Sequence, residues 1–147
     1  MKKFAVVGNG KLGSLLLQRV GFFRLNCDLT NSKSIEIAVE EVSPDIIINL
    51  AGISSIEECE KHYQKAIDVN VHGVKNLHTV FGDDVVTIST DQVFNGKKSD
   101  NSEKSYPSPV NSYGMSKLGA EAVSKVMGGK VIRLSRTVSI EDADISD

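Results

Sequence analysis

The sequence predicts an α/β fold, a doubly wound parallel sheet with helices on both faces. Three observations carry this. Short apolar runs alternate with segments of helical period, the order expected when parallel strands are joined by right-handed crossovers. The run DIIINLAG (45–52) is almost continuously apolar, as in a strand covered on both sides. A glycine-rich turn joins the first apolar run to the first helical segment. With 147 residues, 40% apolar and 24% charged, the chain has the length for one domain with its own core.

Taken in order, FAVVG (4–8) reads as a buried strand ending in glycine. KLGSLLLQRV (11–20) sets Leu12, Leu15, Leu16, Arg19 and Val20 at helical spacing. FFRLN (22–26) reads as a second strand. TNSKSIEIAVEEVSP opens with cap-type residues, places Ile35, Ala38, Val39 and Val42 on one face, and stops before Pro44. DIIINLAG is the third strand, and residues 56–81 form a long helix with Ile67, Asn70, Val74, Leu77 and Phe81 on one face. DVVTIST (84–90) is the fourth strand, followed by a loop over 91–112 rich in Asn, Ser, Lys and Pro. A helix over 113–127 ends at Gly128–Gly129, and KVIRLS (130–135) is the last strand. The domain is expected to span 1–135, with an acidic tail over 136–147 that frays.

Composition excludes several functions. A net charge of −2 offers nothing to nucleic acid or to an anionic membrane. The apolar run behind the first lysines is too short for a signal peptide, and no stretch approaches a membrane span. Cys27 and Cys59 have no metal-type spacing and read as free thiols of a cytoplasmic protein. His62, His72 and His78 form no ligand motif, so no metal is expected.

The glycine turn reads Gly8-x-Gly10-x-x-Gly13, with Lys11 and Leu12 between the last two glycines. After a first strand and before a helix, it implies a Rossmann-type dinucleotide site. The glycines admit close approach of backbone N–H groups to a pyrophosphate, facing the positive end of the helix dipole. The expected cofactor is NADP or NAD. An acid usually follows at the end of the second strand to bind a ribose hydroxyl. Asp28 stands 15 residues past Gly13, behind a very short strand. Arg24 leaves two alternatives, a partner for a 2′-phosphate or a solvated edge residue.

The stretches SPDIIINLAG, DVNVHGVKNL, ISTDQVFNG and YPSPVNSYGMSKLGAE, in this order behind the glycine turn, resemble the extended short-chain dehydrogenase/reductases. Within them the chain is most similar to the dTDP-4-dehydrorhamnose reductase branch. The resemblance runs from residue 4 to about 135 and covers the cofactor-binding half of such enzymes, so a substrate domain is missing or minimal. It implies that Asp28 and Leu29 contact the adenine, and that Asn49, Ala51 and Gly52 line the adenosine side. It implies that Asn70 is the asparagine of the central helix, and that Thr90, Tyr113 and Lys117 are the catalytic trio, which also touches the cofactor. Asp91 and Gln92 would face the substrate, with Gln92 where the branch usually has tyrosine. Glu103 matches an acidic loop position. The turn is one residue shorter than is usual in the extended branch, and Arg136 and Ser139 replace an aromatic and a glycine.

The residues allow the corresponding chemistry. Tyr113 and Lys117 are one helical turn apart, and a nearby ammonium lowers a phenol's pKa. Tyr113 would protonate the alkoxide formed as hydride arrives, while Thr90, with Ser89 as a competitor, would hydrogen-bond that oxygen. Asp91 also reads as a turn cap, Asn70 as a satisfied core asparagine, and Glu121 and Lys97–Lys98 as exposed. Two functions follow: an NAD(P)-dependent reductase of a keto group on a nucleotide sugar, or a non-catalytic dinucleotide-binding or regulatory module. A fragment or shortened copy would leave a face open, so a homodimer or a covering partner protein is expected.

Overall fold

The structure, a computed structural model, describes residues 1–135; the expected acidic tail, with Arg136 and Ser139, lies outside the described residues. The elements run β1 (Phe4–Val7), α1 (Lys11–Leu16), β2 (Phe22–Arg24), α2 (Ser32–Val42), β3 (Ile46–Asn49), α3 (Ile56–Lys61), α4 (Tyr63–Ile67), α5 (Gly73–Phe81), β4 (Val85–Thr90), α6 (Ser112–Val126) and β5 (Lys130–Leu134). A π turn over Asp68–His72 joins α4 to α5, and a 3₁₀ turn over Asp91–Val93 follows β4.

All strand pairs are parallel, in the order β2-β1-β3-β4-β5. The chain leaves β1 toward β2 and returns across it to β3. The order therefore reverses between β1 and β3, and their carboxyl ends border a crevice, the place where ligands of such sheets bind. This is the Rossmann-type doubly wound parallel sheet expected from the alternation of elements.

Alternation within the strands sends Ala5, Val7, Ile47 and Val85 to one face, where they meet Ile35 and Ala38 of α2 and Leu77 of α5. Helix α2 begins where the Asn31 side chain accepts from the N–H groups of Lys33 and Ser34. It ends at Ser43, in left-handed conformation, just before Pro44. On the other face Val6 packs against α1 at Gly13, so helices do lie on both faces.

Three expectations change. Helix α1 stops at Leu16, because the short connection must bring Phe22 into register with Phe4. Gln18 and Arg19 close i→i−3 bonds instead, and Leu15 and Val20 stay exposed. The long helix over 56–81 is broken at His62, whose backbone leaves the helical region, and again by the π turn. The apolar third strand is not closed on both sides. Ile48 lies beside Val86, and Ile88 beside Ile132, on the face away from α6, and all four are half-buried or exposed.

Candidate functional site

The glycine turn and the loop after β3 form a cleft of about 450 Å³, lined by residues 7–10, 25–27 and 50–52 with Ser54. Gly8 has φ +118°, and a Cβ there would sit 2.9 Å from the Ala51 N atom. Only glycine lets the two loops touch. A Cβ on Gly10 would meet nothing within 4 Å, so this glycine leaves open space at the mouth of α1. Lys11 begins α1 exposed, Leu12 is half-buried, and Gly13 packs on the Gly8 carbonyl. A backbone-lined cleft with room over the second glycine fits a pyrophosphate.

The loop after β3 is shaped from beneath. The Asn49 side chain is 1% exposed and accepts from the Ala51 N–H (3.0 Å), so Asn49 builds the cleft while Ala51 and Gly52 line it. Asn70 is brought inward within the π turn and is fully satisfied. It accepts from the Ile53 N–H (2.8 Å) and donates to the Ile53 carbonyl (3.0 Å) and to Ser116 Oγ (2.8 Å). Ser116 in turn donates to the Tyr113 carbonyl. Asn70 thus ties the cleft loop to α6, and a Cβ on Gly52 would lie 2.8 Å from its Oδ1. This is the satisfied core asparagine that the core reading of Asn70 expects.

Thr90 ends β4 on the same sheet edge as Val7 and Asn49. Its hydroxyl accepts from the Gln92 N–H (3.2 Å), donates to Asp91 Oδ1 (3.3 Å) and lies beside the Tyr113 phenol. Tyr113 stands in the first turn of α6, which Asn111 caps through the Gly114 N–H (2.7 Å). Lys117 lies one turn on, 7% exposed, with Nζ donating to the Ile88 carbonyl (2.6 Å). The structure therefore brings Thr90, Tyr113 and Lys117 together.

The expected electrostatics differ. Burial pushes the Tyr113 phenol up, the neighbouring Thr90 hydroxyl pulls it down, and Cys59 and the Asp91 carboxylate push it up again, leaving it above its ordinary value. Lys117 is instead brought down to about 8 by burial, against the opposing Glu121 charge. The ammonium is turned to a backbone carbonyl, so it does not lower the phenol as helical spacing suggests.

Other site expectations shift too. Asp28 is exposed; it accepts from the Thr30 N–H and hydroxyl, which hold its carboxyl below the usual range. It lines a neighbouring cleft with Lys65, Asp68 and His72, outside the glycine-turn cleft. Leu29 has its side chain in the core. Asp91 is exposed, while the Gln92 side chain accepts from Asn111 Nδ2 (3.1 Å). Glu121 is corrected outright. It is 1% exposed and forms a two-bond pair with Arg133 (2.8 and 2.7 Å). Burial pushes its carboxyl up, but Arg133 and Lys125 outweigh burial and hold it below its ordinary value. Nothing in the spacing announces Arg133, because its partner is fixed only when α6 lies on β5. Asn9, Asn26 and Cys27 also border the cleft unannounced. His78 is buried between the Gly82 carbonyl and Ser124 Oγ, and both cysteines are free thiols.

Residues 8–140 match the family described as the RmlD substrate binding domain. A dTDP-4-dehydrorhamnose reductase of Burkholderia thailandensis is 32% identical over 140 residues, covering 88% of this chain and 47% of that protein. The methionine adenosyltransferase 2 subunit beta of Danio rerio is 32% identical over 100 residues, covering 67% of this chain and 31% of that one. A crystal structure of a dTDP-4-dehydrorhamnose reductase from Bacillus anthracis in complex with NADP superposes with a TM-score of 0.82 at 29% identity, covering 92% of this chain and 54% of that one. The chain thus spans about half the length of these relatives or less.

Proposed function

The chain belongs to the RmlD substrate-binding domain family, and from that premise we propose that it serves as an NAD(P)-dependent reductase of a keto group on a nucleotide sugar. The observation that carries the reading is Tyr113, in the first turn of α6, beside Thr90 at the carboxyl edge of the sheet that also bears the glycine turn. When bound, a nicotinamide cofactor supplies the hydride. The dinucleotide would be held by the glycine turn (Gly8, Gly10, Gly13) and by Ala51 and Gly52, with Lys117 as a donor to ribose hydroxyls.

The remaining work falls to the chain. Tyr113, whose phenol titrates above its already high ordinary value, is protonated at neutral pH, the state a proton donor needs. Its Oη–H gives the proton to the substrate oxygen as the carbonyl becomes an alkoxide, and Thr90 hydrogen-bonds the same oxygen. Asp91 and Gln92 lie just beyond Thr90, where they would face the sugar.

Titration with NADH and NADPH, followed by fluorescence, tests the cleft. Turnover with a dTDP-4-keto-sugar then tests the chemistry: Tyr113→Phe should bind cofactor normally and reduce the substrate about a hundredfold more slowly. Equal rates for the two proteins would overturn the reductase reading.

One finding favours a second reading. One relative is named as the beta subunit of a methionine adenosyltransferase. A dinucleotide-binding module that works against a partner would bind NAD(P)H without turnover.

A further inference from the structure

We infer that Glu60 is a positioning residue for the proposed proton donor: from α3 its carboxylate takes the N–H of Ser112 and so fixes the first turn of α6, which carries Tyr113, against Thr90. This rests on the proposed reductase chemistry and deepens it.

The start of α6 needs acceptors, because the first N–H groups of a helix have none within the helix. The cap residue Asn111 serves part of them. Its Oδ1 accepts from the Gly114 N–H (2.7 Å), and its Nδ2 is committed to Gln92 Oε1 (3.1 Å). Ser112, the first residue of the helix, is satisfied from another element: its N–H donates to Glu60 Oε1 at 2.6 Å. A carboxylate in that place also meets the positive end of the helix dipole, and a charge-assisted bond exceeds a neutral one. This N–H and the hydroxyl of the same serine hold the Glu60 carboxyl below its usual range. Glu57 and Glu58 of the same helix pair with Lys61 and Lys65 instead.

Helix α3 gives the contact its reach. It starts directly behind the loop that lines the cleft. Ser55 caps it by accepting from the Glu58 N–H (3.2 Å), and Cys59 Sγ lies 3.5 Å from the Ile53 carbonyl. Glu60 therefore ties the cleft side of the molecule to α6 at Ser112, as Asn70 ties the cleft loop to α6 at Ser116. Tyr113 stands between the two ties. The turn after Thr90 bears on the same helical turn, where a Cβ on Gly114 would clash with the Gln92 carbonyl. The phenol stays beside Thr90 only while the first turn of α6 keeps this place.

Three variants test the inference. Glu60→Ala removes the acceptor, Glu60→Gln keeps a neutral one at the same reach, and Glu57→Ala removes a carboxylate that is bound to Lys61. With a dTDP-4-keto-sugar and saturating NADPH, Glu60→Ala should lower kcat about tenfold while KM and NADPH affinity stay within about threefold, because a donor slightly out of place costs rate and not binding. Glu60→Gln should recover most of that rate, and Glu57→Ala should match wild type. Two readouts need no turnover. Hydrogen exchange of the amides at 112–114 should quicken about tenfold in Glu60→Ala and much less in Glu60→Gln. The Tyr113 phenol, followed by ultraviolet absorption as the difference from Tyr113→Phe, should titrate lower in Glu60→Ala than in Glu60→Gln, since only the first exposes it. Unchanged exchange and an unchanged phenol in Glu60→Ala overturn the inference. Quickened exchange with kcat unchanged also overturns it, since Glu60 would then only secure the helix. An equal loss of kcat in Glu60→Ala and Glu60→Gln does the same, because charge and not the brace would be the cause. If wild type binds NADPH and turns nothing over, the reductase reading falls, and the exchange and phenol readouts decide by themselves whether Glu60 holds Tyr113 in place.

Discussion

Lys117 shows most directly what burial does to a single group. Its ammonium is held against the Ile88 carbonyl in a buried pocket, and its pKa falls from 10.5 to about 8. Between those two values the unfolded chain still carries the proton that the folded protein has released. Stability must therefore rise with pH across that window, and the gain is lost again as pH falls to 8 and below. The size is about 3 kcal/mol. Denaturant unfolding at several pH values should show wild type gaining that much relative to Lys117→Met between pH 8 and 10.5. The comparison cancels the opposing pull of Tyr113, Cys27 and Cys59, whose pKa values are raised in both proteins. Parallel pH profiles would show that the lysine is not buried as described. Tyr113 and Lys117 were legible in sequence as a pair; that the ammonium turns to the Ile88 carbonyl was not, since it depends on which way the side chain points.

Among elements, the junction of α6 with β5 depends on a contact that helical periodicity cannot reveal. Glu121 falls on the same helical face as Lys117, and that face was expected to reach solvent at this point. It instead meets Arg133, whose guanidinium also lies 5.0 Å from the centre of the Phe94 ring. Removing one member of a buried pair leaves the other without compensation, whereas replacing both with apolar groups can be neutral. Glu121→Ala should thus cost about 3 kcal/mol in urea unfolding, and Glu121→Leu combined with Arg133→Met should recover most of that loss. If the single variant is as stable as wild type, the pair does not hold the helix to the strand. The short α1 and the π turn were hidden for a related reason. Both are set by where the chain must arrive, at Phe22 beside Phe4 and at Asn70 beneath Gly52.

Across the whole molecule, one face of the sheet is closed by α2, α5 and α6, while the other carries α1 alone among the described residues. Ile48, Val86, Ile88 and Ile132 form an incompletely covered stripe on that second face. Exposed apolar surface of this kind marks an interaction face. The purified chain should show a mass above that of a monomer by light scattering at high concentration, and Ile132→Lys should return it to a monomer. A monomeric wild type under those conditions would remove self-association as the means of covering the stripe.

The alternation of apolar runs and helical segments, together with Gly8-x-Gly10-x-x-Gly13, determined the parallel sheet and the position of the cleft. These are local properties: strand and helix periods repeat over a few residues, and a glycine turn needs only its neighbours. The order of ISTD before SYGMSK likewise located Thr90, Tyr113 and Lys117. Only the tertiary structure decided that Asp28 turns away from the cleft, that Arg24 is pinned over it, and that Glu121 is buried. Each of those outcomes hangs on a partner brought close by folding, Thr30 across a turn, Asn9 across a strand pair and Arg133 across a helix–strand contact. Hydrogen bonds and ion pairs act over a few ångströms of space, so their effect on a charged residue is set by the fold and not by its neighbours in sequence.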